Sequence, residues 1–398
     1  MGCDLTALIL GRALHSPWNE GTRVINRNFA VAASGLRKVR LVSLTNGGFR
    51  NQPSNEGGGS TLVEHVYTRS GYDLLGVYRG LPRLLRYLHM TDGGNTIDVA
   101  HLFPGIPLSV APWLCRRGTR IVAHVMTDPV GLRVQLLNRA STAIFDRWVD
   151  AYVVSSPALI PLLAQRSLRT SKIFVVPPAI DTGVYRPGDR RAARRELGLD
   201  PDERCIVYLG RMSPHRFPAG EIASVLASVV ASGQERVRIV GLSPGQTYDG
   251  SENTDMYLQA CGRAAEEQLR QVPGLTVDIR VGNLTDESKV AWLRGADAVL
   301  LPFTVPEAVE PPLALLEALA CGATVLASPV ANRSGIVQHG INGLIYHTPH
   351  QLASQLSDVV NQRLEPDLSN QACRTVVRGF SFAAVADVIA EVWDQIEA

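Results

Sequence analysis

The sequence predicts an α/β protein built from two doubly wound domains that face one another across a cleft. Three observations carry this expectation. Short apolar strands alternate with longer amphipathic stretches almost throughout the chain, the pattern of parallel sheets crossed by helices. The 398 residues suffice for two domains of ordinary size. The alternation also restarts after a polar stretch rich in Pro, Asp and Arg, from about Asp181 to Arg204. The boundary therefore falls inside that stretch, with an N-terminal domain over 1–183 and a second over 184–381. Ligands of such folds bind outside the carboxyl ends of the strands.

In the first half the expected strands are "LTALIL" (5–10), "KVRLVSL" (38–44), "DVAHLF" (98–103), "RIVAHV" (120–125), "AYVVSS" (151–156) and "KIFVVPP" (172–178). The helix between the first two runs from about Arg23 to Ala33 and ends at Gly35. "NQPSNEGGGS" (51–60) has no periodicity and three consecutive glycines, and reads as a mobile rim loop. The second cycle has "CIVYLGR" (205–211), "RVRIVG" (236–241), "TVDIRVG" (276–282), "DAVLLPF" (297–303) and "TVLASP" (324–329). The last amphipathic stretch, "FSFAAVADVIAEVWDQIEA", either closes the second domain or crosses back onto the first.

Hydrophobic residues at 45% and charged residues at 19% describe a globular protein with a substantial core. A net charge of +2 gives no sign of a nucleic-acid partner. Only Lys38, Lys172 and Lys289 are lysines, so nearly all the cationic charge is arginine. The six cysteines lie far apart without metal-ligand spacing and read as reduced thiols of a cytoplasmic protein. "MGCDLTALIL" lacks a basic n-region and carries Asp4, so it reads as a first strand and not as a signal peptide. No apolar run reaches membrane-span length, and peripheral membrane contact is not indicated. The only D-x-D, Asp200-Pro201-Asp202, sits in the linker, and no metal site is indicated.

Two stretches offer chemistry. In "GRMSPHRFP", Gly210 and Arg211 close a strand and Arg216 follows five residues later. A glycine there admits a ligand to the backbone, and paired arginines suit a phosphate. The alternative is a pair of solvated arginines in a loop. In "VPEAVEPPLALLEALACGATV" (305–325), a helix is expected to open at Pro311 or Pro312, presenting its positive end and the amides of Leu313 and Ala314 to an anion. Glu310 and Glu317 are seven apart, close to two turns on one helical face. Each can accept sugar hydroxyls; otherwise Glu317 is half of a buried ion pair and Glu310 a helix-start acid.

From these motifs onward, the chain resembles a retaining glycosyltransferase of family 4, with the GT-B architecture. "YLGRMSPHR", "VRIVGLSPG", "VDIRVGNLTDESKVAWLRGADAVLLPF", "LALLEALACGATVLASPV" and "IVQHGINGLIY" fall in that family's order. The first half resembles it more loosely in "SPWNEGTRVINRNFAVAASG", "DVAHLFPG", "IVAHVMTD" and "KIFVVPPAIDTGVYRP", with residues 45–95 the least similar. The resemblance implies that Arg211 and Arg216 clamp a donor diphosphate and that Glu317 holds the ribose hydroxyls. It implies further that Glu310 contacts the hexose, Gly21 lets its loop approach the phosphates, His124 faces the sugar, and Asn283 and Leu284 meet the base. It also implies that helix 382–398 returns to the first domain. The chain departs from the family in having Arg216 for a usual lysine, prolines for loop glycines, and one residue fewer between the glutamates, so Glu307 competes with Glu310 for the first acidic role.

The implied function is transfer of a hexose, with retention, from a UDP- or GDP-linked donor to a hydroxyl or amine on a small molecule or glycan. No cofactor and no metal are implied. A nucleotide-sugar epimerase on the same scaffold and a non-catalytic nucleotide-sugar binder remain as alternatives. The sequence leaves the base, the hexose and the acceptor open.

Overall fold

The computed structural model describes residues 5–14, 18, 20–46, 63–68, 74–91, 97–126, 132–164, 172–232, 236–244, 252–282, 284–306, 309–361 and 367–398. The glycine-rich 51–60 stretch, Asn283 and Glu307 lie outside the described residues. The chain forms two compact units, residues 1–179 with 382–398, and residues 180–381. The crossing comes at 179/180 and not at 183/184. Ile180 already belongs to the second unit: its amide donates to the Phe380 carbonyl at 2.7 Å, and it bridges to Ser381.

In the first unit the strands are β1 (Thr6–Arg12), β2 (Lys38–Asn46), β3 (Val63–Thr68), β4 (Val99–Leu102), β5 (Arg120–Val125), β6 (Ala151–Val154) and β7 (Ile173–Val175). They form one sheet in the order β3-β2-β1-β4-β5-β6-β7, parallel throughout. Its α-helices are α1 (Gly21–Ser34), α2 (Leu74–Thr91), α3 (Ala111–Cys115), α4 (Leu132–Phe145) and α5 (Ile160–Ala164). A parallel sheet needs cover on both faces, which explains why β1 has no polar face. Leu8 and Leu10 pack with Leu84 and Leu88 of α2, while Ala7 and Ile9 are equally buried on the opposite side.

The second unit holds α6 (Arg190–Glu196), β8 (Arg204–Leu209), α7 (Ala219–Ala231), β9 (Val237–Pro244), α8 (Glu252–Leu269), β10 (Leu275–Gly282), α9 (Asp286–Gly295) and β11 (Ala298–Leu301). It continues with α10 (Leu313–Ala320), β12 (Val325–Ala327), β13 (Leu344–Ile345), α11 (Pro349–Val360) and α12 (Leu368–Phe380). Its six strands are parallel in the order β10-β9-β8-β11-β12-β13. At the amino end of β11, Asp297 gathers Arg190, Arg194 and the Cys205 amide. That cluster fastens the base of the sheet, away from the strand ends where ligands bind.

The last helix, α13 (Phe382–Glu397), belongs to the first unit. Arg37, just after α1, forks onto the Glu397 carboxylate at 2.5 and 2.8 Å and lies over the Trp393 ring. Edge strands β3 and β13 were not expected from the sequence. β3 sets Glu64 and His65 side by side between Val63 and Val66, and β13 has only two residues, so neither makes a long apolar run.

Candidate functional site

The strand order of the second unit reverses between β8 and β11, so the crevice at their carboxyl ends is a topological switch point. The two stretches singled out from the sequence both emerge there. After β8 the chain passes through Gly210, at φ 155°, into Arg211. A side chain at Gly210 would put its Cβ 2.9 Å from the Tyr208 hydroxyl, which donates to the Arg211 carbonyl at 2.6 Å. Glycine thus permits the sharp exit from the sheet, and Tyr208 fixes the backbone that follows. The Met212 amide donates to Ser243 Oγ at the end of β9, at 2.9 Å. Residues 213–217 close a turn, with the Arg216 and Phe217 amides both donating to the Ser213 carbonyl.

That turn is tied to the segment following β11. The Thr304 amide and hydroxyl both donate to the His215 carbonyl, at 2.8 and 2.9 Å, and the Arg216 guanidinium lies 5.4 Å from the Phe303 ring centroid. Ser328, just past β12, donates its hydroxyl to the Phe303 carbonyl at 2.7 Å. The ends of β8, β9, β11 and β12 are therefore one hydrogen-bonded rim, with Arg216 stacked on it and Arg211 half-buried beside it.

The helix beyond starts later than the sequence suggested. Pro312 is the extended residue before α10, and the first helical residue is Leu313. Proline disfavours helical geometry in the residue before it, so Pro311 is held outside the helix by Pro312. Glu310 lies before the first helical residue and therefore does not share a helical face with Glu317. Both acids are nevertheless buried, at 4% and 5% exposure. Leu313 and Ala314 occupy the first turn, whose amides have no acceptor within the helix.

Glu317 has a protein partner. Its Oε1 accepts from Lys289 Nζ of α9 at 3.2 Å, and the same ammonium contacts Asp286 at 2.8 Å. The Tyr185 hydroxyl donates to Asp286 Oδ1 at 2.7 Å, and its ring lies under the ammonium. Burial pulls the Lys289 pKa down, but the Glu317 and Asp286 carboxylates outweigh burial and hold it above the ordinary value. Burial, with the same two acids, pushes the Tyr185 phenol well up, so it stays a donor. Sequence reasoning did not find Lys289, although one lysine among three, three residues after an acid in an amphipathic helix, was a usable signal. Leu284 packs against the core near the end of β10.

In the first unit the switch point lies between β1 and β4. Gly21 is the first residue of α1, capped by Glu20, whose carboxylate accepts from the Arg23 amide at 3.0 Å. His124 is in β5, only 7% exposed, and its ring stacks on Phe103 at 3.9 Å. Its Nε2 is bonded to His101 Nδ1 at 2.8 Å, and His101 Nε2 accepts from the Trp393 indole at 2.9 Å. Burial drives both imidazoles strongly toward the neutral form, His101 to about 3. Among the described residues no group of three or more His, Cys, Asp or Glu side chains is placed to hold a metal ion, and no helix is long and apolar enough to cross a membrane.

Two parallel-sheet, Rossmann-like units are the GT-B architecture. Residues 203–362 match the family described as Glycosyl transferases group 1, and this part of the chain is a domain of that family. A curated D-inositol 3-phosphate glycosyltransferase of Thermobispora bispora is 29% identical over 259 residues, 63% of this chain and 56% of that protein. The chain thus spans little more than half the length of this relative. Among solved structures, sucrose-phosphate synthase of Thermosynechococcus elongatus is similar with a TM-score of 0.73 at 15% identity, covering 99% of both chains. HepE of Anabaena, crystallised with UDP and glucose, is similar with a TM-score of 0.70 at 16% identity, covering 98% of this chain and 99% of its own. At such identities the two structures bear on the fold.

Proposed function

We propose that the protein transfers a hexose from a nucleoside-diphosphate sugar to a hydroxyl or amine acceptor, with retention at the anomeric carbon and without a metal or other cofactor. The observation that carries the reading is the rim of the second unit, where the loop bearing Arg211 and Arg216 leaves β8 at the switch point of a glycosyl transferases group 1 domain and is hydrogen-bonded to Thr304, in the segment that leads from β11 toward α10. Two guanidiniums and free helix-start amides suit a diphosphate, and they suit it best as it leaves with growing charge. In this reading Glu317 accepts ribose hydroxyls through the oxygen that Lys289 does not use, and Glu310 accepts hexose hydroxyls. Leu284 and Asn283 meet the base, Gly21 serves the phosphates, and His124 serves the sugar. No general-base pair is required, because the departing phosphate can assist attack from its own face.

HepE was crystallised with UDP and with UDP-glucose, which makes UDP-glucose the first donor to try. The names of the curated relatives make an inositol phosphate the first acceptor. The reading places the enzyme in the cytoplasm, beside soluble nucleotide sugars. Calorimetry with UDP- and GDP-linked hexoses should show one binding in the micromolar to millimolar range, and acceptor should then release the nucleoside diphosphate. Failure of every nucleotide sugar to bind would end the reading. A new sugar formed from donor alone would replace transfer by epimerisation.

A further inference from the structure

Three buried rings of the first unit form a directed chain of hydrogen bonds. Trp393 of α13, His101 of β4 and His124 of β5 are 1%, 1% and 7% exposed. An indole N–H can only donate, so His101 Nε2, 2.9 Å away, must be the bare, accepting nitrogen. A neutral imidazole has one N–H, so the proton of His101 sits on Nδ1. That nitrogen is 2.8 Å from His124 Nε2, which must accept in turn. His124 is left with its proton on Nδ1. This is a single consistent arrangement, fixed from the tryptophan end. Phe103 stacks on the His124 ring and Phe29 meets it edge-on at 5.1 Å, which holds the ring plane. Arg37 holds the other end, lying 4.5 Å from the Trp393 ring centroid while its fork engages Glu397. The charged group acting on His101 is Arg37, and Glu397, Asp98 and Asp394 act in turn on Arg37. Among the described residues none of their carboxylates hydrogen-bonds to either imidazole.

We infer that Trp393 and His101 are positioning residues that lock His124 in its Nδ1–H tautomer, so that His124 meets the sugar as a neutral hydrogen-bond donor and not as a proton-transfer group. The inference rests on the proposed role of His124 for its functional half, while the tautomer itself stands on the geometry alone. The closing helix of the chain thereby reaches the chemistry through two rings. Burial supports the assignment, since it opposes protonation of both imidazoles.

The test is nitrogen-15 NMR of histidine-labelled full-length protein, with signals assigned by single histidine replacements. His101 and His124 should both be protonated on Nδ1 from pH 6 to 8, against the Nε2–H preference of free imidazole. A His124 protonated on Nε2, or charged in that range, overturns the inference without any activity measurement. Trp393→Phe keeps an aromatic ring, though a smaller one, and removes the N–H. It should move the His124 proton to Nε2 and lower kcat about tenfold or more, leaving the donor KM within about twofold. An unchanged tautomer, or a changed tautomer with wild-type kcat, overturns the positioning role. If Trp393→Phe does not fold, benzothienylalanine at 393 supplies an isosteric ring without the donor. Loss of all donor binding by wild-type protein would instead sink the proposed function and leave the tautomer result intact.

Discussion

Replacing Lys289 by methionine should destabilise the second unit far more than it changes packing. The ammonium is buried between Glu317 at 3.2 Å and Asp286 at 2.8 Å. At an effective dielectric of about 20, each contact has a gross attraction of roughly 5–6 kcal/mol. Desolvation of the three charges offsets much of that, so the pair contributes little net stability. Breaking it is another matter, because two carboxylates then remain close together with no cation. Removing one partner of a buried pair typically costs about 3–5 kcal/mol. Asp286 keeps its Tyr185 hydrogen bond and is the more exposed acid, which places Lys289→Met toward the lower figure. Glu317→Gln should cost less, since Lys289 retains Asp286. The double replacement should be more stable than the sum of the two by ~2 kcal/mol or more, because it leaves no lone charge facing another.

The chain has two units, so one global unfolding energy is not defined. The measurement is therefore hydrogen exchange of peptides from α9 and α10 across a urea series, for wild type, both single variants and the double. Additivity within about 0.5 kcal/mol would refute the ion pair as the reason Glu317 is tolerated in an apolar helix. Donor affinity, read by calorimetry on the same four proteins, separates folding from binding. Both Glu317→Gln and Lys289→Met should weaken donor binding, the first by losing an acceptor and the second by releasing the carboxylate from its position.

Four further outcomes are expected. Arg216→Ala should lose roughly 1.5–3 kcal/mol of donor affinity, about tenfold or more, whereas Arg216→Lys should keep most of it if the guanidinium acts as a point charge; calorimetry distinguishes a forked contact, for which lysine fails as alanine does. Gly210→Ala should lower the melting temperature of the second unit by the equivalent of about 1–3 kcal/mol, since its Cβ would press on the Tyr208 hydroxyl at a backbone angle that suits glycine; unchanged melting would refute the close approach. The first unit should lose stability on acidification: both buried histidines have folded pKa values below the unfolded value, so the stability present above about pH 6.5 is lost as pH falls, by up to ~1.4 kcal/mol per pH unit for each. Equal unfolding midpoints for α1 and β5 peptides at pH 8 and pH 5 would contradict this. Turnover should persist in excess chelator, and rescue of a chelated, inactive enzyme by magnesium or manganese would show that the arginines do not hold the phosphates unaided.

The fold was legible where physics writes long runs into the sequence. Interior strands of parallel sheets are apolar on both faces, so β1, β8 and β11 stand out, and Gly35 marked the end of α1. Two of the four edge strands escape this logic: β3 places Glu64 and His65 between its valines, and β13 is a pair of residues, whereas β7 and β10 were legible from their apolar residues. The rim of the second unit was legible for a local reason, since Gly210, Arg211 and Arg216 lie in one short loop and their spacing is visible. The chain Trp393–His101–His124 was not, because its members are 23 and 292 positions apart and only the sheet and the closing helix bring them together. His124 was expected at a strand end, facing a sugar; its neighbours are Phe29, Phe103 and His101, which bury the ring.

Glu317 forms the ion pair that was one of its two readings, and that pair is compatible with the other, proposed one. A carboxylate in an apolar helix was either half of an ion pair or an acceptor for a ligand, and the alternatives looked exclusive because one partner already suffices to explain burial. A carboxylate has two oxygens and about four acceptor sites. Lys289 occupies Oε1 from one side and is itself shared with Asp286, so it neutralises Glu317 only in part. A fully neutralised acid would be a poor acceptor, and an unpaired one would shift its pKa and protonate. An ammonium divided between two acids avoids both outcomes. It compensates the buried carboxylate inside the helix without taking up all of its acceptor sites. In the proposed function the same lysine both makes the acid tolerable and holds it for the ribose, which is why Lys289→Met is expected to damage stability and donor binding together.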